Sequence, residues 1–225
     1  MTAMPETFPR RWVREPVPVH FPVDELVPET KEHLELRTAL YQILKLGFAD
    51  RALIGSDQFV YWDPTDPSAC LAPDVFVRLG GPDETFDCWK VWERGAPHLA
   101  IEVVSRSDAR DVAWDQKLAK YRRLGVRELL RFDPADREHP LRVWDSVQGD
   151  LVERLLLSPD RAECPTLELH WAVVRSAGQV SLRLARDAEG RELLPTPVEE
   201  AARERERAAA ALARVRELEA ALKRR

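Results

Sequence analysis

The chain has 225 residues and only three cysteines, Cys70, Cys88 and Cys164, odd in number, widely spaced and never in a Cys-x-x-Cys pair. That spacing indicates neither a disulfide framework nor a structural zinc cluster, and a reducing, cytoplasmic setting is the expectation. No apolar run approaches the ~20 residues that span a bilayer. The N-terminus also lacks the basic-then-apolar layout of a secretory signal, so neither membrane insertion nor export is expected. Ser105 lies in no Gly-x-Ser-x-Gly elbow and no cysteine has an evident histidine partner, which sets aside serine and cysteine hydrolases. A phosphate-cradling glycine loop is missing too, and with it the first argument for ATP or dinucleotide use. His20, His98, His139 and His170 show no paired spacing and are expected to be structural or superficial. Charge of either sign is in little excess. With 34 Lys and Arg against 39 Asp and Glu, the net charge of −5 argues against a surface wholly dedicated to nucleic acid and leaves room for a local basic patch.

What the chain does contain describes a globular protein: 44% hydrophobic residues, 32% charged residues and seven Trp. A disordered chain is poorer in aliphatics and does not offset its ordering entropy. The length suits one core with an appendage. Six prolines (Pro5, Pro9, Pro16, Pro18, Pro22 and Pro28) make residues 1–28 an extended arm rather than a helix. From Glu29 to about Leu46 the residues Leu36, Leu40, Ile43 and Leu44 recur at helical spacing, with Gly47 as the expected stop. Segments rich in β-formers follow at 58–62, 73–79, 99–104 and 128–132, expected as strands of one sheet. Between the last two, residues 111–124 carry Trp114, Leu118 and Tyr121 on a helical stripe before Gly125. Strand, helix, strand implies a crossover and an at least partly parallel sheet. Residues 141–144, 151–157 and 180–184 read as peripheral strands, giving an α/β or α+β layer. The domain is expected to span 29–195. Residues 196–225 form a separate C-terminal helix in which Ala208, Ala211, Val215, Leu218 and Leu222 are spaced 3, 4, 3, 4. That stripe suits a coiled coil between two copies, or a solvated helix whose narrow apolar edge packs back on the domain.

The chemistry is suggested by acids in places where acids are costly. In Pro73-Asp74-Val75-Phe76-Val77, period-two alternation puts Asp74 with Phe76 on one face, at the entry of an apolar strand. Glu102 interrupts the run Leu99-Ala100-Ile101-Glu102-Val103-Val104, of the kind buried on both faces. An unpaired carboxylate there costs several kcal/mol or is forced neutral. A basic partner such as Lys117, a proton, or a metal ion would each relieve it. Two strand-borne acids close together favour a cation, and oxygen ligands of this type suit Mg²⁺ or Mn²⁺.

The ordered set resembles the Uma family of putative restriction endonucleases, a branch of the PD-(D/E)XK nuclease superfamily. It comprises Pro73-Asp74, then Glu102-Val103-Val104-Ser105, then Lys117 and Tyr121 on a helix ending in Gly125-Val126, and the Asp133-Pro134 step. The resemblance runs from about Glu29 to Leu194. It implies a restriction-endonuclease-like fold, a mixed β-sheet core flanked by helices, with an Ala/Glu/Arg-rich C-terminal helix of the kind many members carry. It further implies a metal-dependent endonuclease, with Asp74 and Glu102 as ligands of Mg²⁺ or Mn²⁺ and the Val103 carbonyl as a third. The superfamily motif places a lysine where this chain has Val104. Lys117 is the replacement the resemblance offers, with Lys120 as the alternative register, and Asp108 stands where a threonine is usual.

The first helix turns polar toward its start, at Glu32, His33 and Glu29. Superfamily folds supply a helical acid to the site, which makes Glu32 a candidate catalytic residue and His33 a neighbour able to orient water or contact phosphate. Equally, these acids favour a positive helix N-terminus. Substrate DNA would approach over Arg106, Arg110, Lys120, Arg122, Arg123 and Arg127. The expected enzyme is a homodimer held by the C-terminal helix, able to cut two strands. The alternatives are a catalytically inactive binding module on the same fold and a scaffolding protein acting through its coiled coil.

Overall fold

The computed structural model describes residues 30–104, 111–176 and 178–223. The expected arm over 1–28 therefore lies outside the described residues, as do Glu29, Ser105, Arg106, Asp108 and Arg110.

Helix α1 (Lys31–Phe48) starts where the Thr30 side chain accepts a hydrogen bond from the main-chain N–H of His33. It buries Leu40, Ile43, Leu44 and Phe48. Gly47 lies inside the helix and does not end it. Phe48 continues the stripe four residues after Leu44 and is 3% exposed. Burying such a ring stabilises by about 2–3 kcal/mol, more than the ~1 kcal/mol that a helical glycine costs.

The remaining elements are strands β1 (Ala52–Gly55), β2 (Val60–Tyr61), β3 (Cys70–Leu71), β4 (Val75–Leu79) and β5 (Trp89–Lys90), the short helix α2 (Val91–Arg94), β6 (Leu99–Val103), helix α3 (Asp111–Leu124), β7 (Glu128–Phe132), β8 (Leu141–Val147), β9 (Asp150–Glu153), β10 (Arg161–Cys164), β11 (Leu169–Ser176), β12 (Gln179–Ala185) and helix α4 (Pro197–Leu222). A six-stranded sheet runs β1-β4-β6-β7-β8-β9. Only β6 and β7, joined through α3, pair in parallel there. The expected crossover and mixed sheet are both present. Gly125 ends α3 at φ +80° with its N–H bonded to the Tyr121 carbonyl, a conformation that suits a residue without Cβ.

A second expectation is corrected. The segment around residues 58–62 does not join the main sheet. Its β2 pairs with β3 and with Trp89-Lys90 of β5 in a separate three-stranded sheet. A third sheet, β10-β11-β12, is antiparallel.

The main sheet separates two apolar layers. Val75, Val77, Leu99, Ile101 and Val103 point to α1 and to Trp171, Leu182 and Leu184 of the β10–β12 sheet. Phe76, Ala100, Leu129 and Trp144 point the other way, to Tyr121 and Leu124 of α3 and Val60 and Trp89 of the small sheet. The architecture is α/β, a mixed sheet covered on both faces, with α4 as a trailing helix. Its first turn carries a capping box between Thr196 and Glu199. Arg183 of β12 pairs with Glu199 at 2.7 Å, which ties that turn to the body.

Candidate functional site

The alternation that sorts the two layers also sorts the acids. On β6, Ala100 faces α3, and so does Glu102 two residues later. On β4, Phe76 faces α3, which gives the same side to Asp74 just before the strand. β4 and β6 are antiparallel with Val75 opposite Ile101, so extending the register by one residue sets Asp74 opposite Glu102. Neighbours at such positions have Cβ atoms ~5 Å apart. Both are buried, Asp74 at 7% and Glu102 at 3% exposure. Asp74 Oδ2 accepts a hydrogen bond of 2.7 Å from the main-chain N–H of Val103, which locks the carboxylate across the strand pair.

Glu102 is met from α3. Lys117 Nζ lies 2.5 Å from its Oε2, and the Tyr121 hydroxyl donates to its Oε1. Lys117 and Tyr121 are four residues apart, hence on one helix face. Burial pushes the Glu102 carboxyl up to about 7, the Lys117 ammonium opposes that shift, and the Asp74 carboxylate adds to it. The Tyr121 phenol is driven well above its ordinary range by burial and then by the Glu102 charge. Relief of Glu102 thus comes at least from a basic partner.

The opposite wall comes from the start of α1. His33 Nε2 lies 2.9 Å from the Val103 carbonyl oxygen and 3.1 Å from Asp74 Oδ1. One turn on, Arg37 donates to Ser56 Oγ at 3.1 Å, and that hydroxyl donates to the Asp74 carbonyl at 2.8 Å. The N–H of Asp57 bonds to the Pro73 carbonyl at 2.9 Å. The Pro73-Asp74 step is therefore held by a loop that α1 itself anchors.

Asp74, Glu102, the Val103 main chain, Lys117 and His33 come together. Glu32 does not: it is exposed on the helix face next to His33, since successive helical residues point ~100° apart. Lys117, not Lys120, points inward; Lys120 and Arg123 lie exposed on the outer face of α3. Arg122 is also exposed, 3.3 Å from Asp150. Arg106 lies outside the described residues. Val104, at the motif's usual lysine position, spends its main-chain N–H on the Phe132 carbonyl. Tyr121 stands in the family's ordered set without an assigned role, and Arg37 and Ser56 were not legible as site residues. For Tyr121 the signal was its i+4 spacing from Lys117, and for Arg37 its i+4 spacing from His33.

Among the described residues no three side chains of His, Cys, Asp and Glu form a metal-ligating group. The donors that fit a hard divalent ion are two carboxylates and one main-chain carbonyl, all oxygens on neighbouring strands. A buried acid pair with a raised Glu102 pKa is the electrostatic situation that a cation relieves.

Comparison with known proteins gives three findings. Residues 23–174 match the family model described as "Uma2: Putative restriction endonuclease", more than half of the chain. A crystal structure of "a putative nuclease belonging to DUF820" from Anabaena variabilis is 15% identical, with a TM-score of 0.47, over 64% of this chain and 79% of that one. No curated protein matches the chain.

Proposed function

Because the chain belongs to the Uma2 family of putative restriction endonucleases, we propose that it hydrolyses phosphodiester bonds in DNA as a metal-dependent endonuclease, with Asp74, Glu102 and Lys117 as catalytic residues. The observation that carries this reading is the register that sets Asp74 opposite Glu102 on one face, with the Lys117 ammonium 2.5 Å from Glu102. Asp74, Glu102 and the Val103 carbonyl would hold Mg²⁺ or Mn²⁺. Such an ion, when bound, supplies Lewis acidity to a phosphate oxygen and lowers the pKa of a water.

The chain's own groups do the rest. Lys117 keeps a positive charge beside the acids, where negative charge grows on the attacked phosphate. Tyr121 holds Glu102 in one orientation through its hydroxyl, and the Val103 N–H holds Asp74. Burial of both acids excludes bulk water and strengthens each of these interactions. The exposed Lys120 and Arg123 contribute charge for backbone phosphates on the outer face of α3. The proposed catalytic unit is residues 29–195.

Relaxation of supercoiled plasmid by the full chain in Mg²⁺ or Mn²⁺ tests the reading. Asp74→Ala, Glu102→Ala and Lys117→Ala are each expected to lose at least 100-fold in rate while Lys120→Ala stays within threefold. Equal cutting by all of them overturns it. The displacement of the lysine from β6 to α3 favours one second reading, a binding module that does not cut. Plasmid left intact but retarded in a gel by the wild type decides for that module.

We further propose that two copies pair through α4. Leu212, Val215, Leu218 and Leu222 are 50–71% exposed along it, and four of the five stripe positions (Ala211, Val215, Leu218 and Leu222) repeat at intervals of 4, 3 and 4. A dimer places two sites on one duplex.

A further inference from the structure

The register that sets Asp74 opposite Glu102 continues across the sheet. β6 pairs with β7 at Glu102 and Arg131, and β7 pairs with β8 at Arg131 and Arg142. Residues directly opposite on neighbouring strands share a face, so Asp74, Glu102, Arg131 and Arg142 form one row on the α3 side. With strands ~4.8 Å apart, Arg131 leaves the sheet about 5 Å from Glu102. It is the last residue but one of β7, at the carboxyl ends of the parallel pair, where open α/β sheets take up ligands.

The two arginines are answered differently. Arg142 holds Glu153 by two bonds, Nε to Oε1 at 2.8 Å and Nη2 to Oε2 at 2.7 Å. Among the described residues Arg131 has one ion pair, from Nη2 to Asp133 Oδ2 at 3.4 Å, longer than an ordinary hydrogen bond. The other oxygen of Asp133 accepts from the N–H groups of Ala135 and Asp136. Glu102 does not answer Arg131 either, since its oxygens meet Lys117 and Tyr121. The Arg131 guanidinium lies 5.3 Å from the centre of the Trp114 ring, and its side chain is only 15% exposed. A guanidinium has five N–H donors, so this nearly dry cation is short of acceptors. Trp114 precedes Lys117 by three residues, which puts the guanidinium and the ammonium along one face of α3.

We propose that Arg131 is a substrate-binding residue: its guanidinium, held over the Trp114 ring, donates two N–H bonds to the non-bridging oxygens of a backbone phosphate next to the one attacked at Asp74 and Glu102. The inference rests on the nuclease reading of the acid pair and adds the group that grips the substrate there. Arginine suits the task better than lysine because its planar fork matches two oxygens of one phosphate. The contact is to the backbone, so it sets the position of the duplex and carries no base sequence. A bound phosphate also relieves the repulsion between Arg131 and Arg142, like charges directly opposite each other.

The test is binding of a fluorescein-labelled duplex oligonucleotide to the full-length chain without added divalent ion, read by anisotropy over a series of salt concentrations. Arg131→Met keeps an unbranched stem against Trp114 and removes the charge. It should bind the duplex at least tenfold more weakly, and the slope of log affinity against log salt should shrink by about 0.9, the loss of one phosphate contact. Arg131→Lys keeps the charge, so it should keep the slope while losing three- to tenfold in affinity. Arg191→Gln makes the same charge change at an exposed position after β12 and should leave both readings unchanged. Wild-type affinity and slope in Arg131→Met overturn the inference. An equal loss in Arg191→Gln overturns it too, because the effect is then one of net charge. Thermal melts verify folding; should Arg131→Met unfold, the lysine variant decides, and wild-type affinity there removes the two-bond contact. Cutting separates the two levels. If Asp74→Ala loses plasmid relaxation while Arg131→Met binds as the wild type does, Arg131 alone loses its role. If the wild type does not bind the duplex, or Asp74→Ala cuts as it does, the nuclease reading falls as well.

Discussion

Tyr121 differs from a core tyrosine only in what its hydroxyl touches. The ring is fully buried and the O–H donates to Glu102 Oε1. Tyr121→Phe keeps the ring and removes the donor, leaving one buried carboxylate oxygen short of a partner, which costs about 1–3 kcal/mol. We expect a lower melting temperature and a three- to tenfold fall in plasmid relaxation, both read on the same preparation. His98 offers a prediction away from the site. It is buried, with Leu79 N–H donating to Nδ1 at 3.2 Å and Arg78 Nη1 at 3.0 Å from Nε2. Burial first, then the Arg127 and Arg78 charges, hold it down to about 4 from the usual 6.5. Between those values the unfolded chain takes up a proton that the folded chain refuses, so this contribution to stability is complete above pH 6.5 and drains away as pH falls toward 4. The melting temperature of the wild type should therefore drop more steeply over that window than that of His98→Gln. Parallel curves would show that His98 does not titrate as described.

At the scale of elements, the N-terminus of α1 carries more than helix stability. Thr30→Ala removes the cap on His33 N–H and should cost about 1 kcal/mol. It should also slow plasmid relaxation, because the ring that meets Asp74 Oδ1 and the Val103 carbonyl loses its fixed departure point; the same plasmid assay checks this. The elements around the proposed site were readable in advance because their patterns are strong. β7 and α3 have the bounds their periodicity indicates, and the buried run on β6 ends one residue early at Val103. The strand at Ala52–Gly55 was not legible. Four residues with a central Leu53 and a terminal glycine carry too little alternation, and its pairing with β4 decides its state. The same holds for β3 and β5, two residues each, which exist only because β2 lies between them. Placement of Lys117 rather than Lys120 follows from the phase of α3, set by burial of Tyr121 and Leu124. Glu32 is exposed, and His33, one helical step on, meets Asp74 instead. The stripe toward the start of α1 is polar throughout, so hydrophobic phase does not separate Glu32 from His33.

For the whole molecule, the chain divides into a body whose strands share two apolar layers and a helix whose described contacts lie mainly at its start, where Arg183 meets Glu199. No helix among the described residues is long and apolar enough to cross a membrane. Ending the chain after Pro195 should leave the melting transition of the body nearly intact while converting a dimer to a monomer in sedimentation velocity. If the sedimentation coefficient scales only with the lost mass, α4 is a solvated appendage. Of this level of organisation, the helix at Pro197–Leu222 was readable from the glycine-free, Ala/Glu/Arg-rich segment, and the three separate sheets were not, because sheet membership depends on long-range pairing.

The β4–β6 register unites two stretches of chain separated by a loop, β5 and α2. His33 and Asp74 precede the Glu84–Thr85 peptide, both of whose residues are exposed, and Glu102, Lys117 and Tyr121 follow it. A nick at that peptide would give two polypeptides, each with half of the acid pair and neither with the whole of the proposed site. Their reunion along one strand edge would rebuild the proposed site, so that plasmid relaxation, the test of the proposed function, would become a split reporter of any external tether that brings the halves together.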